Sequence, residues 1–107
     1  MPAPAAFAAV VSGPGQAVSA VRVVALVDGQ VQGVGYRWFA RQAATGRGVS
    51  GSATNLPDGR VEVVLEGPPD DVRAVLAELS GPRAPGSVSD LRQRDDVVQG
   101  VRGFTVA

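Results

Sequence analysis

The run Val21–Thr45, VRVVALVDGQVQGVGYRWFARQAAT, decides how the rest of the chain is read. Its first seven residues, Val21 to Val27, form an uninterrupted Val-rich stretch with the composition of a mostly buried strand. Asp28 to Gly35 (DGQVQGVG) then places three glycines within seven positions, which predicts a loop with unusual backbone angles. Tyr36 to Thr45 has good helix formers in its middle, and Gly46 followed by Gly48 supplies a stop. A strand, a glycine loop and a helix are the expected opening.

Working outward, Val49 to Asn55 and Arg60 to Glu66 are two further strand candidates, the second alternating Val61, Val63 and Leu65. Leu56-Pro57-Asp58-Gly59 between them is a strong turn signal, so the pair predicts a hairpin. Pro68-Pro69-Asp70-Asp71 opens a second helix: proline suits the first turn, and aspartate suits the positive end. Val72, Val75, Leu76 and Leu79 recur at helical spacing before Gly81-Pro82 ends it. Ser87 to Arg94 reads as a polar edge strand and Phe104 to Ala107 as a short last one. The order β-α-β-β-α-β, with a fifth strand at the C-terminus, favours an α+β fold: a ferredoxin-like two-layer sandwich. Two helices cover one face of a mostly antiparallel sheet. Met1 to Ala20 is rich in Ala, Pro and Gly and carries no charged side chain, so residues 1–20 are expected to be a weakly ordered extension of a single domain at 21–107. The extension lacks the basic start of a secretory signal.

Composition removes many chemistries. Apolar residues make up 45% of the 107 and charged ones 19%, and no apolar run approaches a membrane span, so a soluble chain is expected. Ten Lys+Arg balance ten Asp+Glu, which leaves no bulk basic field for nucleic acid or an anionic membrane. Cys, His and Lys are all absent; every basic residue is Arg. Cysteine-nucleophile and phospho-histidine transfer, Ser-His-Asp catalysis, Schiff bases, thiolate or imidazole zinc sites and disulfides are therefore impossible within the chain. Lack of Cys is compatible with the cytoplasm, where the chain is expected to act. RNA binding by this fold would need exposed aromatics on central strands, and Val21–Val27 and Arg60–Glu66 have none.

Chemistry concentrates at Gly29–Arg37, GQVQGVGYR, between a strand and a helix start. Successive N–H groups in a glycine-bent loop can converge on one anion, and the helix adds its own unpaired N–H groups and dipole. Arg37 in the first turn is disfavoured by that dipole, and a bound anion would reverse the penalty. A plain strand-to-helix turn with a solvated Arg is the competing reading. A Walker-type loop needs the Lys that is missing, and the G-x-G-x-x-G at Gly46 to Gly51 follows a helix and precedes a strand, the reverse of dinucleotide-binding order. Asn55, the only asparagine, falls just before the Pro-Asp-Gly turn, where an asparagine would also serve simply as a turn cap.

Together, VDGQVQGVGYRWFA and, eighteen residues after Arg37, NLPDGRVEVVLEG resemble the acylphosphatase family, with its G-x-V-Q-G-V-x-[FY]-R loop and G-x-x-x-N-x-x-[DR]-G strand and turn. The resemblance spans about Val21 to Ala107. It implies a five-stranded, two-helix sandwich without cofactor or metal that hydrolyses the carboxyl-phosphate bond of small acyl phosphates. Carried over by position, Arg37 and the amides of Gln32, Gly33, Val34, Gly35 and Tyr36 would hold the phosphoryl group, and Asn55 would orient the attacking water. The residues fit that role, since no strong general base is evident and a carboxylate leaving group needs little acid or base help. Asp28 is the nearest carboxylate, and it reads as structural. Where relatives carry an aromatic and a basic residue before the asparagine, this chain has Gly51-Ser52-Ala53-Thr54, which thins that side of the site. Trp38 and Phe39 are expected in the core of the first helix, and Tyr36 as a packing residue at the site's edge. A monomer is expected, free of nucleic acid, membrane and the zinc-finger cysteines of larger carbamoyl-transfer enzymes that carry such a domain. The alternative is a non-catalytic phosphate- or small-anion-binding regulatory domain of the same fold.

Overall fold

A computed structural model describes residues 19–107; most of the 1–20 extension lies outside the described residues. Seven elements follow in the order β1 (Val21–Gln30), α1 (Tyr36–Thr45), β2 (Ser50–Asn55), β3 (Val61–Gly67), α2 (Pro69–Leu79), β4 (Ser87–Asp96) and β5 (Phe104–Val106). The strands form one sheet in the order β4-β1-β3-β2-β5, antiparallel throughout except where β2 pairs with β5 in parallel.

Alternation along the strands explains the two layers. Val23, Ala25 and Val27 of β1, Val61, Val63 and Leu65 of β3, Ala53 of β2 and Phe104 of β5 point to one face. That face packs on the apolar stripes of both helices: Tyr36, Ala40 and Ala44 of α1, and Val72, Val75, Leu76 and Leu79 of α2. Each fully buried Val or Leu contributes about 1.5–3 kcal/mol relative to exposure. The helices lie where this burial requires them, on a single face of the sheet.

Three local expectations are corrected. Trp38 is not a core residue: it is 59% exposed, and Phe39 is only half-buried. The buried residues of α1 recur every fourth position, 36, 40 and 44, so Trp38, two residues from Tyr36, falls on the opposite side of a helix turning about 100° per residue. The Arg41 guanidinium stacks 5.6 Å from its ring centroid. Nor does β1 end at Val27. It continues through Asp28 to Gln30 by way of a bulge at Asp28/Gly29, pairing Gly29 with Val88 and Gln30 with Ser87. Gly29 makes this possible: at φ 133° a Cβ would lie 2.1 Å from the Ser87 carbonyl oxygen, so only glycine admits β4 this closely. Likewise β4 runs two residues past Arg94, to Asp96.

Candidate active site

Strands β1 and β2 are both antiparallel to β3 and so run the same way, as does β5 beside β2. Three strands therefore end at one edge of the sheet, where α1 begins. This edge gathers the sequence-predicted residues.

Between β1 and α1 the chain makes five residues of loop. Val31 is buried and anchors it; Gln32, Gly33, Val34 and Gly35 are exposed. Gly33 (φ 73°) and Gly35 (φ 84°) both adopt left-handed backbone, a conformation with which successive amides can face one anion. Gly35 occupies the N-cap position of α1 without any side-chain cap, and the first turn has no acidic residue. The Gly35 carbonyl accepts the Phe39 N–H at 3.0 Å, while no backbone carbonyl among the described residues accepts from the amides of Gln32 to Tyr36. An uncapped helix start behind a loop of unpaired amides is an electropositive cradle.

Arg37 and Asn55 meet on one oxygen. Arg37 Nη1 donates to the main-chain oxygen of Ala107 at 2.7 Å, and the Asn55 backbone N–H donates to the same atom at 3.0 Å. Ala107 is itself fixed by its N–H on the Ala53 carbonyl at 2.9 Å. The guanidinium has five N–H donors, so it keeps several free beyond the one Ala107 uses. Asn55 ends β2, tied to β3 opposite Val61 on one side and to Ala107 on the other, which secures its backbone despite the small residues Gly51–Thr54 before it. Its Oδ1 is buried and has no hydrogen-bond partner among the described residues. A buried acceptor left unpaired costs stability, so this oxygen is available to a donor.

Gln32 does more than lend an amide. Its Nε2 donates to the carbonyls of Leu56 at 2.8 Å and Arg60 at 3.0 Å, hooking the loop onto the β2–β3 turn. That turn is braced by the Asp58 carboxylate, which accepts from Arg60 Nε and from the Arg60 backbone N–H; these bonds, the side-chain one foremost, hold the Asp58 carboxyl below its ordinary pKa. The pairing of a Gln in one loop with two carbonyls in another left no signal in the sequence. Asp28, by contrast, falls on the sheet face away from the helices, opposite Asp90 on β4, and is not brought to the cradle. Tyr36 contributes its backbone to the cradle while its ring is buried; the phenol donates to the Leu79 carbonyl at 2.7 Å. Burial pushes its pKa far up, so it stays a neutral donor.

A groove of about 510 Å³ between α1 and α2, lined by Phe39, Gln42, Arg47, Glu78 and Arg83, lies apart from this edge. Its charges satisfy one another, Arg83 on Glu78 at 3.1 Å and Arg47 on Glu78 and Asp71 at 4.0 and 3.5 Å, so no unspent chemistry converges there.

The model of the acylphosphatase family matches residues 23–106. The chain belongs to the acylphosphatase family. An acylphosphatase from Corynebacterium efficiens is 48% identical over 89 residues, covering 79% of this chain and 90% of the relative. One from Thermus thermophilus is 50% identical over 86 residues, covering 79% and 97%. Among solved structures, the crystal structure of acylphosphatase from Bacillus subtilis matches with a TM-score of 0.75 at 30% identity, covering 81% of this chain and 98% of that one. The family and its fold make this chain an enzyme, with acyl phosphate hydrolysis as its general activity.

Proposed function

We propose that Arg37 and the amides of Gln32 to Tyr36 bind the phosphoryl group of a small acyl phosphate, and that Asn55 orients the water that attacks it. The observation that supports this reading is the shared oxygen: the main-chain oxygen of Ala107 accepts from both Arg37 Nη1 and the Asn55 backbone N–H. The phosphoryl oxygens take the free guanidinium N–H groups and the loop amides, which meet the charge of a loose transition state. Asn55 Oδ1 accepts a hydrogen bond from water and aims its lone pair at phosphorus. The water oxygen bonds to phosphorus, the bond from phosphorus to the carboxyl oxygen breaks, and carboxylate leaves without needing a proton. The water's proton passes to a phosphate oxygen. Asparagine cannot serve as a base, and with so good a leaving group the step relies on position and charge.

The two residues differ in the role they play, and substitution separates them. Arg37→Ala is expected to abolish both phosphate binding and turnover; Asn55→Ala is expected to abolish turnover while phosphate affinity stays within about threefold, because water is positioned for the transition state. Turnover of a generic acyl phosphate and the shift in melting temperature with inorganic phosphate report the two quantities. A chelator is expected to leave both unchanged, since no cluster of three metal-ligating side chains occurs among the described residues. Full activity in Asn55→Ala, or comparable cleavage of an alkyl phosphate, would overturn the mechanism. Phosphate binding without turnover of any acyl phosphate would make the chain a regulatory anion-binding domain.

A further inference from the structure

We propose that Glu66, on the helix-free face of the sheet, is a positioning residue for Arg37, acting through the connection that leads into β5. The proposal rests on the reading of Arg37 as the phosphate ligand.

Glu66 is 5% exposed, and both its oxygens are fully engaged. Oε1 accepts the N–H groups of Gly100 at 2.7 Å and Val101 at 3.0 Å; Oε2 accepts the Gln99 N–H at 2.9 Å and Arg22 Nη1 at 3.1 Å. The strand registers place Arg22 directly between Glu66 on β3 and Asp96 on β4, and its Nε donates to Asp96 Oδ2 at 3.1 Å. These are the charged groups that face the carboxylate. Its ligands therefore include three consecutive amides of one segment, the arrangement with which a backbone nest captures an anion.

Besides Glu66, that segment is held among the described residues only at its two ends, by the Val97 N–H on Asp96 Oδ1 at 2.9 Å and by the Gly103 carbonyl, which accepts the Gly51 N–H at 2.9 Å. Residues 97–103 form no strand or helix, and every one of them is exposed. β5 beyond them is three residues long and pairs only with β2. Its task is to deliver Ala107, whose main-chain oxygen accepts from both Arg37 and Asn55. A slip of one residue in β5 would move that oxygen by about 3.3 Å, more than a hydrogen bond tolerates. Only two residues separate Val101 from Phe104, so clamping Gln99 to Val101 supports, together with the Gly51 N–H on the Gly103 carbonyl, the place where β5 begins and hence where the Ala107 oxygen stands. The clamp needs an anion. All four partners are donors, and glutamine would set its own NH₂ against at least one of them.

The test compares Glu66→Gln with the wild type, with inorganic phosphate and a generic acyl phosphate as probes. Glu66→Gln is expected to raise the phosphate Kd and the KM about tenfold, to leave kcat within about twofold because Asn55 keeps its pairing to β3, and to speed hydrogen exchange at the Val106 and Ala107 amides while Val75 and Leu76 in α2 exchange as before. Val75→Ala, a core cavity away from this chain of contacts, controls for lost stability and is expected to leave Kd unchanged. Gly100→Ala, whose Cβ would meet nothing within 4 Å but whose φ of 74° strains the nest, is the second variant and should act in the same direction. Wild-type Kd, KM and exchange in a folded Glu66→Gln or Gly100→Ala protein would overturn the proposal, as would an equal rise in Kd for Val75→Ala. A wild type that binds no phosphate would instead overturn the reading of Arg37, and the Ala107 exchange rate would still decide the clamp.

Discussion

Tyr36 shows how one residue can border the site and still be structural. Its backbone belongs to the proposed phosphate loop, but its ring is 1% exposed and its hydroxyl satisfies the Leu79 carbonyl at the end of α2. Tyr36→Phe should therefore lower stability by about 1–3 kcal/mol, the usual cost of stranding a buried acceptor, with kcat and KM nearly unchanged. Chemical denaturation and steady-state rates on one preparation check both halves, and a large fall in kcat at full folding would give the hydroxyl a chemical role instead. At this scale much of the candidate site was legible. Arg37 and Asn55 stood out by residue type and by the motif around them. The oxygen on which they converge did not, because Ala107 lies 70 residues from Arg37 and only the parallel pairing of β5 with β2 brings it near. Trp38 misled for a simpler reason: an aromatic beside good helix formers suggests a core, and only the spacing of Tyr36, Ala40 and Ala44 reveals which side is buried.

Among the elements, the β1–α1 loop depends on its neighbour for shape. Gln32 spans from it to the two carbonyls that close the β2–β3 turn, and Leu56 N–H to Arg60 O at 2.8 Å keeps those carbonyls in place. Gln32→Ala removes two exposed hydrogen bonds, so its effect on melting temperature should be small. The loop would then sample more conformations, and the amides would have to be ordered when phosphate arrives. A phosphate Kd raised about fivefold with an unchanged melting temperature in the absence of phosphate is the expected result. Isothermal titration alongside thermal melts measures it; an unaltered Kd would show that the glycines alone preorganise the loop. Element identities were readable from periodicity and turn residues, and each expected strand and helix is present. Their ends were less so. β1 outlasts its apolar run because Gly29 lets β4 approach, a tertiary contact that composition within Asp28–Gln30 cannot express.

For the whole molecule, the absence of His and Cys has a thermodynamic consequence. With Arg the only basic side chain and the Tyr36 phenol pushed up, no side chain has an ordinary pKa between about 5 and 9. Folding stability should be nearly flat over that range and respond to pH only through carboxylates. Glu66 contributes to this response: burial pushes its pKa up, but the Gln99 N–H, the Arg22 guanidinium and the amides of Val101 and Gly100 outweigh burial and hold it below the ordinary value. The Val97 N–H and then Arg22 lower Asp96 in the same way. A carboxyl with a folded-state pKa below its unfolded one binds fewer protons when folded, so stability rises with pH through that window. The contribution is complete above the unfolded value, about 4.3 for Glu and 3.9 for Asp, and is lost as pH falls through the folded value. Glu66→Gln should thus cost most at neutral pH, flatten the acid limb, and converge with the wild type once both states of Glu66 are protonated. Denaturant midpoints at a series of pH values from 2 to 8 test this, and parallel curves separated by a constant offset would mean that Glu66 stabilises by shape and hydrogen-bond count alone. Since that carboxylate also fixes the segment leading to Ala107, the same acid limb should bring faster exchange at Val106 and Ala107 before the core opens, linking the charge on the far face of the sheet to the arginine at its edge.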